Sequence, residues 1–472
     1  MKTVDLIRCT IELSSPLIIG TGKGDSLQDA IFVQDANGLP TIPGTSIAGV
    51  LRDRWQRSGS ADLSVNELFG HADGAAGQPS CVEVSFAHLH DSHNWPVPYL
   101  ASEERLADPL LEAARTPLTR EHVRLGIRGS HEQGGLFEDS VVAAGHRFTF
   151  EVVVRDASAE IALQLLALLH DPATRFGAKT RSGMGEFRVL GAAHGHFDLT
   201  TAAGIEAWGR VPTDLCSREP LEGLSEIDLS TLSTDAGATI TLDLQPESGW
   251  LFGGGDSHSR YDRKSRKPGR ENEMQGPDMS PFTEPRVTWN HDQGRWQPQE
   301  VDVVIPASGI KGALRHRCVF YALADAGIFA GEGEPIDRLT HQEPEAIRRI
   351  FGQIPAKGEG TEATPGRVFI RESRFRAEDV AHKWSDHVSL DRFSGAPLDG
   401  RLFNEVALYG DLHWRLEITV DSTGLQPGDL SILQRALEDL SHGDLAVGGG
   451  TGRGHGSFHG SLNWPAELEV TA

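Results

Sequence analysis

A chain of 472 residues exceeds what one hydrophobic core usually covers, so two domains of roughly 200 residues each are expected. With 38% hydrophobic residues and no apolar run near the roughly 18 residues a bilayer crossing needs, the composition excludes a disordered chain and a membrane helix, and it predicts a globular protein of the cytoplasm. A formal charge of −23 excludes a uniformly basic nucleic-acid binder and leaves room only for a local basic groove, while Cys9, Cys81, Cys216 and Cys318 lack the spacing of a disulfide framework or a zinc site.

In chain order, MKTVDLIRCTIEL alternates as an opening strand instead of carrying a signal-peptide core. A loop containing Asp25 and Asp29 leads to a short apolar strand at 31–33 and then to Ile42-Pro43-Gly44. Behind Thr45 or Ser46 as a cap, Ile47, Val50, Leu51 and Trp55 recur at helical spacing, with Arg52 and Arg54 on the polar side. His88, His90 and His93 have no cysteine or H-E-x-x-H helix beside them, so they read as the edge of a surface loop, not a metal site. A hairpin is expected near 120–137, a helix at 161–171 and a glycine-rich segment at 176–187. The acidic, turn-rich stretch 196–236 reads as a connector between domains at 1–195 and 237–472, the second bearing a charged insertion at 253–285.

These elements then repeat. IPGTSIAGVLRDRW (42–55) recurs without a gap as IPASGIKGALRHRC (305–318), which places Arg52 and Arg54 on Arg315 and Arg317 and Ala48 on Lys311. ELFG (67–70) recurs as RIFG (349–352), the segment 126–154 parallels 389–419 with Phe137 on Phe403, and FGAKTRSGMGEF (176–187) parallels VGGGTGRGHGSF (447–458). Each half runs strand, helix, strands, helix, strand, the split βαβ order of an α+β ferredoxin-like (RRM-like) domain. The glycines let backbone amides approach a phosphodiester, and a helix opening at Pro43 or Pro306 presents its positive end. Gly44, Ser46, Lys179, Thr180, Arg181, Lys311, Thr451, Arg453 and His455, with the four helix arginines, are therefore candidate phosphate contacts.

An I-P-G-x-S-x-x-G-x-L-R helix start, an L-F-G, a hairpin ending L-F-x-x-x-V-x-x-G-x-x-F and a late G-x-x-T-x-x-G-x-G, in that order and twice, resemble the CRISPR-associated RAMP superfamily. The likeness is greatest to tandem backbone subunits of type III RNA-guided effector complexes, including the fused double-domain subunits of type III-D. It implies crRNA and target RNA as partners, together with neighbouring RAMP subunits and a large signalling subunit. It also implies that the hairpins at 120–137 and 386–403 are thumbs inserted across the guide–target duplex, with Arg120, Arg124 and Arg128 on the first and Lys383, Arg392 and Arg401 on the second. Lysine is usual inside the helix start, as Lys311, so Ala48 marks a departure in the first half.

The resemblance further implies a target-cleaving aspartate on the loop before I-P-G, where Asp29 stands, with Asp25 as its local rival. Such a carboxylate holds a divalent cation, Mg2+ or Mn2+, or orients a 2′-hydroxyl for attack on the adjacent phosphate. Counting back from Gly294 as Gly38 puts Glu284 opposite Asp29 in the second half, with Asp278, Asp262 and Asp256 as alternatives. Three other readings stand beside target cleavage: a catalytically inactive crRNA scaffold, a stand-alone endoribonuclease processing guide precursors with His455, and an unrelated enzyme on a duplicated ferredoxin-like core.

Overall fold

The computed structural model describes residues 2–20, 32–59, 63–74, 77–125, 131–212, 215, 223–232, 237–254, 259–265, 273–329, 343–353 and 363–469. Asp25, Asp29, Arg128 and Asp256 lie outside them.

The first half contains β1 (Thr3–Leu13), α1 (Gly44–Ser58), β2 (Val82–Val84), a hairpin of β3 (Leu118–Leu125) and β4 (His131–Val141), β5 (Arg147–Arg155), α2 (Ala159–His170) and β6 (Phe187–Asp198). Its sheet runs β2-β5-β1-β6, antiparallel throughout. The second half contains β7 (Ala238–Pro246), β8 (Thr283–Asn290), β9 (Gln293–Ile305), α3 (Ala307–Asp325), β10 (Val368–Ile370), β11 (Ser373–Arg376), the hairpin β12 (Ala381–Leu390) and β13 (Pro397–Tyr409), β14 (Trp414–Val420), α4 (Pro427–His442) and β15 (Phe458–Asn463). Its sheet, β10-β14-β7-β15, has the same order as the first, so both halves are ferredoxin-like and both carry an inserted hairpin.

The periodicities read from the sequence correspond to burial. Ile47, Leu51 and Trp55 point into one hydrophobic core with Ile7, Cys9 and Ile11 of β1, and Ile310, Leu314 and Cys318 point into a second with Ile240, Leu242 and Leu244. Each such apolar side chain contributes about 1.5–3 kcal/mol by leaving water, so each half sustains its own core.

Two local expectations are corrected. Pro43 and Pro306 occupy the helix N-caps and neither helix has a side-chain cap, so Thr45 and Ser46 sit inside the first turn of α1. The stretch 196–236 is also more than a connector. β6 continues to Asp198, Ser225–Glu226 adds an edge strand beside it, and Trp208 packs edge-on against Phe197 at 5.2 Å.

The halves meet head to tail. The glycine-rich loop of the first half seats on the start of α3, where a Cβ on Gly183, at φ +91°, would come within 2.6 Å of the Ala307 Cβ. Nearby, Arg181 Nε donates to the Gly366 carbonyl at 2.8 Å, and Arg371 Nε lies 2.8 Å from Glu186 Oε1. The β8–β9 hairpin reaches back, with Val287 N donating to Ala144 O at 3.0 Å and Trp289 Nε1 to Gly145 O at 2.7 Å.

Between these contacts a charged cluster is sealed from water. Arg120, on β3, donates to both oxygens of Glu284 at 2.7 and 2.6 Å and to both oxygens of Glu372 at 2.6 and 3.0 Å. Arg374 also contacts both glutamates, and Arg120, Glu284 and Glu372 are 2%, 3% and 8% exposed. Two arginines and two glutamates sum to zero charge, the condition under which such burial is tolerated.

Candidate nucleic-acid interface

The four helix arginines that recur between the halves do not face solvent as free cations. Arg52 donates to the carbonyl of Gly70 at 3.0 Å and to Asn66 Oδ1, and Arg315 donates to the carbonyl of Gly352 at 3.3 Å and pairs with Glu343. Gly70 and Gly352 are the equivalent glycines of the repeated L-F-G and I-F-G turns. Arg54 pairs with Asp171 just beyond α2, and Arg317 reaches Asp439 at 2.5 Å near the end of α4. In each half the first arginine anchors the turn after the helix, and the second ties the two helices together. Their expected role as RNA contacts is corrected accordingly: the recurrence belongs to the fold. Arg317→Ala is expected to lower stability by about 1–3 kcal/mol in a urea titration, with RNA affinity within twofold of the parent protein.

Gly44 is corrected in the same way. It is buried, and a Cβ there would lie 2.1 Å from the Val84 carbonyl, so its smallness lets α1 pack on β2. Ser46 and Thr180 are half-buried, and Thr451 is exposed.

Lys311 differs from all of these. It stands just past the first turn of α3, near Arg315 one turn on and Arg181 from the first half, and has no hydrogen-bond or ion-pair partner among the described residues. Burial, with the charges of Arg315 and Arg181, pushes its ammonium down to about 8. A half-buried lysine set among cations near the start of a helix is an arrangement whose charge an anion would offset. The site exists only because the glycine-rich loop of one half lies against the helix of the other.

The remaining loop cations converge on the roots of the hairpins. Lys179, at φ 55°, pairs with Asp139 and lies over the Phe137 ring at 4.2 Å. Arg453 reaches Glu405 at 2.5 Å and lies over Phe403 at 5.5 Å. His122 and His387 stack on these phenylalanines at 5.1 and 4.9 Å. Asp139 and Glu405, two positions beyond the aligned phenylalanines, carried a signal in the repeat that the sequence reading missed, as did His122 and His387 in the opposing strands. Arg392 is exposed in the turn of the second hairpin.

A family model of the RAMP superfamily matches residues 10–188 and 244–459. The chain belongs to the RAMP superfamily. No curated protein sequence matches it. Each matched region runs from the end of its half's first strand to the start of its last and includes one glycine-rich loop, so membership rests on both halves and makes this a CRISPR-associated, RNA-binding RAMP protein of the kind that assembles with other Cas subunits.

Among the proposed carboxylates, Glu284 is not on a loop. It lies within β8, and Arg120 and Arg374 outweigh the effect of burial to hold its carboxyl down at about 2. With both oxygens on arginine it has no lone pairs in the open for a cation, so its assignment as the counterpart of Asp29 is corrected to a structural one. Asp278 is exposed; its Oδ2 accepts from the Asn404 backbone at 2.8 Å, and Oδ1 has no partner among the described residues. His455 turns Nε2 toward Glu405 at 3.4 Å and buries Nδ1, leaving neither ring nitrogen directed to solvent.

Proposed function

We propose that this RAMP protein is a tandem backbone subunit of a type III CRISPR effector complex, holding guide crRNA along the cleft between its halves and cutting the paired target RNA. The observation that carries the reading is Lys311, a cation without a partner among the described residues, set with Arg181 and Arg315 at the junction of a glycine-rich loop and a helix start. This local positive site answers the objection raised by a net charge of −23, because phosphate binding depends on the field at the groove and not on the sum over the surface.

The head-to-tail packing supports the backbone role. The loop of the first half meets the helix start of the second, whereas among the described residues none of the other half is seated on the loop at 447–456 or the helix start at 43–48. A heterologous contact of this kind extends by adding neighbours at both ends. On the hairpins, the cross-strand pairs Val123–Leu136 and Val388–Leu402 are all about half or more exposed, which suits wedges against nucleobases.

Cleavage is assigned to Asp29, with a divalent cation, Mg2+ or Mn2+, supplying charge neutralisation at the scissile phosphate when bound. Asp278, with its available oxygen, is the second-half carboxylate that fits a cation, whereas Glu284 does not. In assembled particles loaded with guide, Asp29→Ala is expected to abolish the cuts made at the first half while target binding is retained. Unchanged cutting at every position, read on a sequencing gel, removes Asp29 from the reaction. A particle that binds target and cuts nowhere even with the wild-type chain supports the scaffold reading, which the sequestration of Glu284 favours for the second half.

A further inference from the structure

The two hairpin roots hold the same cluster built from different parts. In the first half β3 supplies His122, β4 supplies Phe137 and Asp139, and the glycine-rich loop supplies Lys179. In the second half β12 supplies His387, β13 supplies Phe403 and Glu405, and the loop supplies Arg453. The imidazole and the phenyl ring form a direct cross-strand pair in both hairpins and stack nearly parallel, at 15° and 19°. Imidazole Nε2 lies 3.0 Å from the carboxylate in each case.

The cation is the informative member. Lys179 aligns with Gly450, and Arg453 aligns with Ser182, so the positive charge arises at different positions of the two loops. It nevertheless arrives at the same place, against the carboxylate and over the phenyl ring. Simple inheritance from a duplicated domain leaves a residue in its aligned position. Arrival from a different position, with aspartate replaced by glutamate and lysine by arginine, indicates that the contact itself is what each half retains. The carboxylates are nearly sealed, at 9% and 1% side-chain exposure, and each depends on its cation and imidazole for compensation. Burial would raise the Asp139 carboxyl, but His122 and Lys179 hold it below the ordinary range.

We propose that each cluster is a clamp locking the hairpin of its half to the glycine-rich loop of the same half, with His122 and His387 as positioning residues, so that the element gripping the guide and the element reaching across the duplex move as one piece. This rests on the guide-binding reading above and adds to it the part that sets hairpin geometry. Stacked rings fix the twist of the hairpin root, and the shared carboxylate fixes its distance from the loop.

The test uses the full chain loaded with guide RNA and a complementary RNA strand. Asp139→Asn removes the charge and keeps the shape, whereas Asp139→Glu introduces the acid that the second half already uses. The expected result for Asp139→Asn is guide affinity within twofold of wild type by fluorescence anisotropy. Reactivity of the nucleotides splayed at the first hairpin towards a base-selective probe falls at least fivefold, while reactivity at the second hairpin stays unchanged. Asp139→Glu restores the pattern, and Glu405→Gln produces the converse loss at the second hairpin. Equal losses of guide affinity and probe reactivity, or no change in either, overturn the proposal. Hydrogen exchange of the protein without RNA provides an arm independent of the guide-binding reading: root amides at 118–123 and 136–141 lose protection in Asp139→Asn. If that protection is unchanged the clamp is wrong, and if wild-type protein binds no guide while protection falls, the guide-binding reading alone fails.

Discussion

Arg120→Met is expected to lower the stability of the folded chain by about 3–5 kcal/mol and to split its single denaturation into two transitions, one for each half. Among the described residues the guanidinium is the only group of the first half that bonds Glu284 and Glu372, so its removal leaves two glutamates facing Arg374 in a space closed to water. One buried carboxylate must then take up a proton or draw in water, and both responses loosen the contact of β3 with β8 and with Glu372. The cores of the halves are separate and remain intact, which is why the loss appears as uncoupling and not as collapse. Calorimetry of the variant would show the second transition, and one transition at the wild-type temperature would mean that the cluster does not join the halves. Acid acts on the same group. Because the Glu284 carboxyl is held down at about 2 in the folded chain, its contribution is complete above the ordinary carboxyl range and is lost as the pH falls towards 2.

How the sequence succeeded and failed follows from the range of each interaction. The ferredoxin-like order was legible because hydrophobic periodicity and turn glycines are local, and because a repeated order of motifs marks two copies of one fold. The arginines misled because recurrence was equated with ligand contact. Arg52 and Arg315 recur because the same carbonyl, of Gly70 or Gly352, needs a donor in each half. Glu284 was misplaced because an alignment counted through a long insertion put it on a loop. Pro285, the next residue, is accommodated at a register shift within β8. Lys311 was named as a family feature, but its setting among cations includes Arg181 arriving from the other half, and spacing along one chain carries no trace of that approach. The hairpin clamps were invisible for a related reason: a cation drawn from unaligned positions scores as a mismatch in the repeat.

Lys311→Met separates function from stability in opposite directions. In the protein without RNA the charged ammonium has no counter-ion among the described residues, and burial with the charges of Arg315 and Arg181 holds it down from 10.5 to about 8. The methionine variant keeps the aliphatic bulk and removes the charge, so it is expected to be more stable by about 1–3 kcal/mol at neutral pH. The sign follows from the direction of the shift: a lysine held below its ordinary value destabilises the fold while protonated, and wild-type stability rises as the pH passes upward through about 8. On the guide-binding reading RNA reverses the balance, because a phosphate at this junction would supply the missing anion. Guide affinity of the variant is therefore expected to fall about tenfold, the equivalent of one charge-assisted hydrogen bond, and the slope of log affinity against log salt is expected to shrink by about 0.7. Ala48, the aligned residue of the first half, has no such cation to lose, so Ala48→Met leaves affinity unchanged. A Lys311→Met protein that binds guide RNA as tightly as wild type, with an unaltered salt slope, would show that the cation does not meet phosphate. Greater stability together with weaker binding would show that the fold tolerates an uncompensated charge at this junction because RNA completes it.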